Sequence, residues 1–199
     1  INNSKGCGGV MRVAPIGLFF AGSQRTVEEI AMVGAEAAAI THGRPLGWLP
    51  AAAIALSVHD VVENDIGIQD ATLHALDTID ALWSRTAHCS EFRQIIEKAI
   101  ELALGDEDDI TAIHALGDGR VGEEALAIAV YCAVRHESDF GKAIIAAVNH
   151  NGDSDSTGAI TGNILGAKVG EAGIPAKYTE RLELLDTIKI VGGNLWEAT

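Results

Sequence analysis

Positive charge is scarce in this chain. Its 14 Lys and Arg residues stand against 28 Asp and Glu, a net charge of −14 over 199 residues. A general nucleic-acid binder needs a basic footprint to displace counterions from phosphates, so that class is excluded. Attachment to an anionic membrane surface is excluded on the same ground. A phosphate ligand is not, because backbone amides and a metal ion can hold one without bulk positive charge. Cysteine is sparse too. Cys7, Cys89 and Cys132 make neither a metal-type pair nor an even disulfide set, which points to a reducing compartment, the cytoplasm. Long hydrophobic runs are missing: stretches such as Ala125 to Val134 are too short to span a bilayer, and no signal-peptide pattern is visible. Sustained alternation of apolar and polar residues is also lacking, so nothing specifies a sheet.

Helical periodicity fills the chain instead. Hydrophobic residues make up 48% and charged residues 21%, enough to build one domain with a sizeable core. Thr26-x-x-Glu29 is a capping box that starts an amphipathic run to Thr41. Further helices are predicted over residues 50–63, 69–85, 90–104 (with a Ser90 cap and Gly105 closing it), 109–116, 123–135, 139–148, 157–171 and 179–191. The fold class is all-α, with residues 1–199 forming a single domain and short loops between packed helices. Gly158, Gly162, Gly166 and Gly170 recur every four residues. Each costs about 1 kcal/mol of helix propensity against Ala, so a neighbouring backbone is expected to run close along that ridge.

The chemistry concentrates in residues 149–161. Asp153, Asp155 and Ser156 stand at i, i+2 and i+3 in a polar, Gly-bounded loop. Hard oxygen donors in that pattern suit Mg²⁺, Mn²⁺ or Ca²⁺ and not zinc. The rival is that an Asp simply caps the next helix, but a cap needs one Asp, not two. An EF-hand fails at its twelfth position, Ile164, where a bidentate Glu belongs. One such cluster cannot close a cation's shell alone. Near the N-terminus, Asn2 to Arg12 holds Gly6, Gly8 and Gly9 with Ser4 and Lys5. That loop can present backbone amides to an anion, although it is not a Walker A motif. Nothing in the sequence locates a base beside Cys7. His42 stands at a helix C-terminus, where a His often caps carbonyls. The other six His show no ligand spacing, and Glu123 with Glu124 fits a helix N-terminus by the dipole alone.

Together these segments resemble the ADP-ribosylglycohydrolase family, which includes the dinitrogenase-reductase-activating glycohydrolase. The matching pieces are Ser4 to Arg12, Thr41-His42, Gly119 to Leu126 and Gly152 to Ile160, in matching order over nearly the whole chain. The resemblance implies an all-helical fold around two Mg²⁺ or Mn²⁺ ions, acting on ADP-ribosylated protein or a small ADP-ribose conjugate. It implies metal ligation by Asp153, Asp155 and Ser156, and diphosphate binding by Asn3, Ser4, Lys5, Gly6, Cys7 and Gly8. His42 and Arg120 would contact the ligand, Arg120 standing where members often place an aromatic or apolar residue. The family's acidic N-terminal stretch, with its catalytic Glu, has no match here. The chain is therefore expected to be the C-terminal two-thirds of a domain, and inactive alone. Two other readings stay open: a non-catalytic member, as with a lens crystallin of this family, or another Mg²⁺-dependent hydrolase of a phosphorylated small molecule.

Overall fold

A computed structural model describes residues 2–198; Ile1 and Thr199 of the expected 1–199 domain lie outside the described residues. Its helices are α1 (Ala14–Phe20), α2 (Val27–Ala39), α3 (Pro45–Glu63), α4 (Ile68–Trp83), α5 (Cys89–Leu104), α6 (Asp109–Leu116), α7 (Gly122–Arg135), α8 (Phe140–Val148), α9 (Ser154–Gly173) and α10 (Leu185–Glu197). Single 3-10 turns lie at Cys7–Gly9 and Ala176–Tyr178, and no strand occurs among the described residues. The all-α class holds.

Helix starts follow local chemistry. Thr26 accepts from the Glu29 amide while Glu29 accepts from the Thr26 amide, the reciprocal cap its spacing predicts. Asp108 and Asp139 cap α6 and α8 through the amides of Thr111 and Lys142. Other starts differ from expectation. Helix α5 begins at Cys89 behind His88, which is left-handed (φ 67°), so Ser90 lies inside the helix and caps nothing. Gly105 closes α5 with extended backbone (φ −83°), not in the left-handed region.

Helix α3 begins five residues before the expected Pro50, because Pro45 occupies the first turn, where a missing N–H is harmless. Pro50 then sits inside the helix and leaves the Leu46 carbonyl without its usual donor. A side chain at Gly122 would come within 2.6 Å of that carbonyl oxygen. The bare glycine lets the start of α7 close over the gap. At 19 residues α3 is long and apolar enough by composition to cross a membrane, which corrects the expectation that every apolar run is too short. Most of it is buried between other helices, as the centre of the core. Helix α7 is the second central element, buried from Ala125 through Ala133.

The glycine ridge of α9 does not carry a neighbouring backbone. Only at Gly158 would an added Cβ collide, 2.5 Å from a side-chain atom, Val148 Cγ1. Around Gly162 and Gly166 the nearest atoms are 3.8 and 4.0 Å away, and Gly170 (φ 64°) breaks the helical path with open space beside it. Residues 179–184 are not α-helical; the last helix runs later, as α10, and buries none of its residues. Leu184, Ile188 and Val191 remain exposed and line an apolar groove of about 720 Å³ against Pro15 and Leu18.

Candidate active site

Asp153 occupies the N-cap position of α9 yet makes no side-chain capping bond. Its carboxylate turns to the N-terminal loop, where Cys7 Sγ lies 3.2 Å from Asp153 Oδ2 and 3.2 Å from Ser156 Oγ. Ser156 is buried and Asp155 exposed on the first turn of α9. Burial raises the Asp153 pKa, but contacts with Cys7, Asp155 and Ser156 and the charge of Arg120 outweigh it, holding the carboxyl below its ordinary 3.8. Burial pushes the Cys7 thiol above its ordinary value, and Asp153 adds to that against the Ser156 contact. No base beside Cys7 is visible in the sequence; the fold puts a carboxylate there, but burial and that carboxylate both disfavour the thiolate that nucleophilic attack needs.

The acidic loop is pinned from below. The Asp153 amide donates to the Asp118 carbonyl at 2.7 Å. A Cβ on Gly152 would sit 2.1 Å from that same oxygen, so only glycine fits. Gly117 and Gly119 turn their own loop with φ of 124° and 74°. Glu124 Oε2 gathers the amides of Asp118 (3.0 Å) and Gly119 (3.2 Å). His150 braces the other side: its Nδ1 accepts from the Gly152 amide at 3.1 Å. Nε2 therefore carries the proton and donates to Thr157 Oγ1 at 2.9 Å. Thr157 hands the bond on to the Ala147 carbonyl at 2.7 Å. Burial lowers the His150 pKa and keeps the ring neutral.

The N-terminal loop meets the same region. Gly6 bridges to Val121, and the Gly122 amide donates to the Lys5 carbonyl at 2.8 Å. Lys5 Nζ reaches Glu123 Oε1 at 2.6 Å; Glu123 is buried and its Oε2 has no partner. The His42 ring covers the glycines: a Cβ at Gly6, Gly8 or Gly9 would stand 3.5, 3.4 or 3.3 Å from it. That ring does not cap carbonyls. Its Nδ1 lies 2.7 Å from Thr41 Oγ1, which accepts from Arg12 at 2.6 Å. Burial and the Arg12 charge lower its pKa. Asn3 and Ser4 are exposed, and Ser4 Oγ accepts from the Gly6 amide. Arg120 is exposed, with its charge felt at Asp153.

Every expected site residue thus lies on the segments at residues 2–8, 41–44 and 117–121, at the N-cap of α9 or on its first turn. The sequence reading missed three supports. Asn2 accepts from the Gly43 amide at 2.6 Å, Asn163 donates to the Met11 carbonyl at 3.2 Å, and Glu124 gathers its loop amides. The Asn2 and Asn163 bonds are long-range, with no sequence spacing to betray them. Among the described residues no group of three or more His, Cys, Asp and Glu side chains could hold a metal ion. Asp153, Asp155 and Ser156 offer hard oxygen donors for part of a shell.

Against known proteins, the family model described as ADP-ribosylglycohydrolase matches residues 2–199. The chain belongs to the ADP-ribosylglycohydrolase family. It is 31% identical over 193 residues to an uncharacterized protein of Archaeoglobus fulgidus, a match covering 96% of this chain and 58% of that one. It is 25% identical over 217 residues to the ADP-ribosylhydrolase ARH3 of Gallus gallus (98% and 58%) and over 216 residues to that of Homo sapiens (96% and 58%). The chain therefore spans a little under three-fifths of the length of these relatives.

Proposed function

We propose that the protein hydrolyses ADP-ribosyl linkages, with a divalent cation, Mg²⁺ or Mn²⁺, held in part by Asp153, Asp155 and Ser156. The observation that carries this reading is the side chain of Asp153. It stands at a helix N-cap, forgoes the cap, and faces the glycine loop beside a second carboxylate. Two carboxylates brought together repel unless a cation or proton lies between them, which supports a hard-cation site. The loops fit a diphosphate, since Gly6 and Gly8 leave their backbone bare under the His42 ring. In this reading the amides of residues 3–8 hold the diphosphate, while neutral His42 packs over them and bonds to a hydroxyl or phosphate oxygen. Exposed Arg120, whose charge is felt at Asp153, then stacks or pairs with the ligand. When bound, the cations would orient the distal ribose and stabilise charge as its C1″ bond breaks.

The carboxylate that activates water belongs, in this reading, to polypeptide beyond residues 1–199, as the greater length of the relatives supports. The 199-residue chain is expected to bind but scarcely turn over, and cytoplasmic residence is the proposed setting. Calorimetric titration with ADP-ribose, with and without Mn²⁺, tests the reading. Binding strengthened by Mn²⁺ and weakened at least tenfold by Asp155→Ala supports it. Binding indifferent to both sinks it.

A further inference from the structure

Two segments 146 residues apart meet at one sulfur atom. Cys7 opens the 3-10 turn of the glycine loop, and its Sγ is equidistant, at 3.2 Å, from Asp153 Oδ2 and Ser156 Oγ. A second tie lies four residues on, where Asn163 of α9 donates to the Met11 carbonyl. Only the first tie touches side chains of the acidic loop. Any anion drawn onto the amides of residues 3–8 pulls on the backbone that carries Cys7. Any cation drawn onto Asp153 and Ser156 re-aims the oxygens to which the thiol bonds. Cys7 is therefore an element that both ligands bias, the physical requirement for energetic coupling between two sites.

We propose that Cys7 is a positioning residue that couples cation binding to nucleotide binding, so that each tightens the other through the thiol contact. This rests on the functional reading above, and takes from it only that the glycine loop holds a diphosphate and the acidic loop a cation. The thiol is suited to the task by its placement: it reaches Asp153 Oδ2 and Ser156 Oγ at once, and a polarizable sulfur tolerates both contacts. Serine at this position keeps a donor; alanine and valine do not.

The test measures the ADP-ribose dissociation constant by calorimetry at zero and saturating Mn²⁺, in the wild-type chain and in Cys7→Ala, Cys7→Val, Cys7→Ser and Asn163→Ala. Their ratio is the coupling factor, expected at about tenfold in the wild type. It should fall below about twofold in Cys7→Ala and Cys7→Val, whatever their metal-free affinity, because each ratio is taken within one variant. Cys7→Ser should restore most of it. Asn163→Ala, which cuts the purely structural tie, should lower the melting temperature and leave the factor unchanged. A wild-type factor surviving in both donor-less variants overturns the proposal. So does an equal loss in Asn163→Ala, which would mean that loosening alone explains it. Failure of the wild-type chain to bind ADP-ribose at any Mn²⁺ concentration overturns the functional reading and this inference with it. Binding with a factor near one overturns the coupling alone.

Discussion

The Asp118 carbonyl and Gly152 are packed so closely that a methyl group on the glycine would lie 2.1 Å from the oxygen. The neighbouring Asp153 amide is hydrogen-bonded to that oxygen at 2.7 Å. The loop before α7 is thereby the floor on which the acidic loop rests. Gly152→Ala must push the two apart. It should cost about 2–4 kcal/mol of stability, in the range of severe overpacking, and weaken Mn²⁺ affinity, read by thermal melts and by metal titration of the folded fraction. Unchanged Mn²⁺ binding would mean that the floor does not set the carboxylates.

Breaking the Lys5–Glu123 pair should be asymmetric. Lys5→Met leaves a buried carboxylate with neither oxygen paired. Because Lys5 is 37% exposed, the loss should be about 2 kcal/mol, less than for a fully buried pair. Adding Glu123→Leu should recover most of it. A double variant no more stable than Lys5→Met in urea melts contradicts this account.

Stability should fall as pH drops from 7 to 5. The folded-state pKa values of His150 and His42 lie below 6.5, while the unfolded chain titrates near that value. Below about 6.5 the unfolded state thus binds more protons, and the stability that the neutral rings contribute is lost as pH falls through the folded values. His150→Gln keeps an acceptor and a donor but cannot titrate. Melting temperature against pH should be flatter in that variant; an identical slope would clear His150 of any part.

Cys7, Cys89 and Cys132 should alkylate slowly in the folded protein. All three are unpaired and buried, and burial raises each pKa, that of Cys89 to about 11. Iodoacetamide at pH 8 should label none of them appreciably faster than global unfolding permits, and all of them in denaturant. Rapid labelling of Cys7 by mass spectrometry would mean a thiolate where the geometry requires a thiol.

Much of this was legible in the sequence because it is periodic or local. Helices α2, α4, α6, α7 and α8 follow their apolar spacing within a few residues, since one face of each enters the core. Acidic and glycine loops stand out by composition. What was hidden depends on distant partners. Pro50 looks like a helix start until Gly122 is seen closing over the carbonyl it frees. Ser90 looks like a cap until His88 takes the position with a left-handed backbone. The contact that matters most, Cys7 with Asp153 and Ser156, joins segments brought together by α3 and α7, each of which packs against both α9 and the Cys7 turn. The short α1 gave no signal, its seven residues including both Pro15 and Gly17. The helix expected over 179–191 slid towards the C-terminus because no core face pins it.

Glu124 carries a last implication for how such proteins vary. One carboxylate oxygen fastens both amides of a hairpin-tight corner, and that corner in turn holds the Asp153 amide through the Asp118 carbonyl. An inserted residue between 117 and 122 would move the Asp118 carbonyl and tilt Asp153 off its mark. Drift in loop length is thus forbidden here and must be absorbed elsewhere, such as the solvent-facing turns flanking α5. In the proposed reading, changes in preference among substrates come from exchanging side chains on a fixed frame, with Arg120 the place to look first.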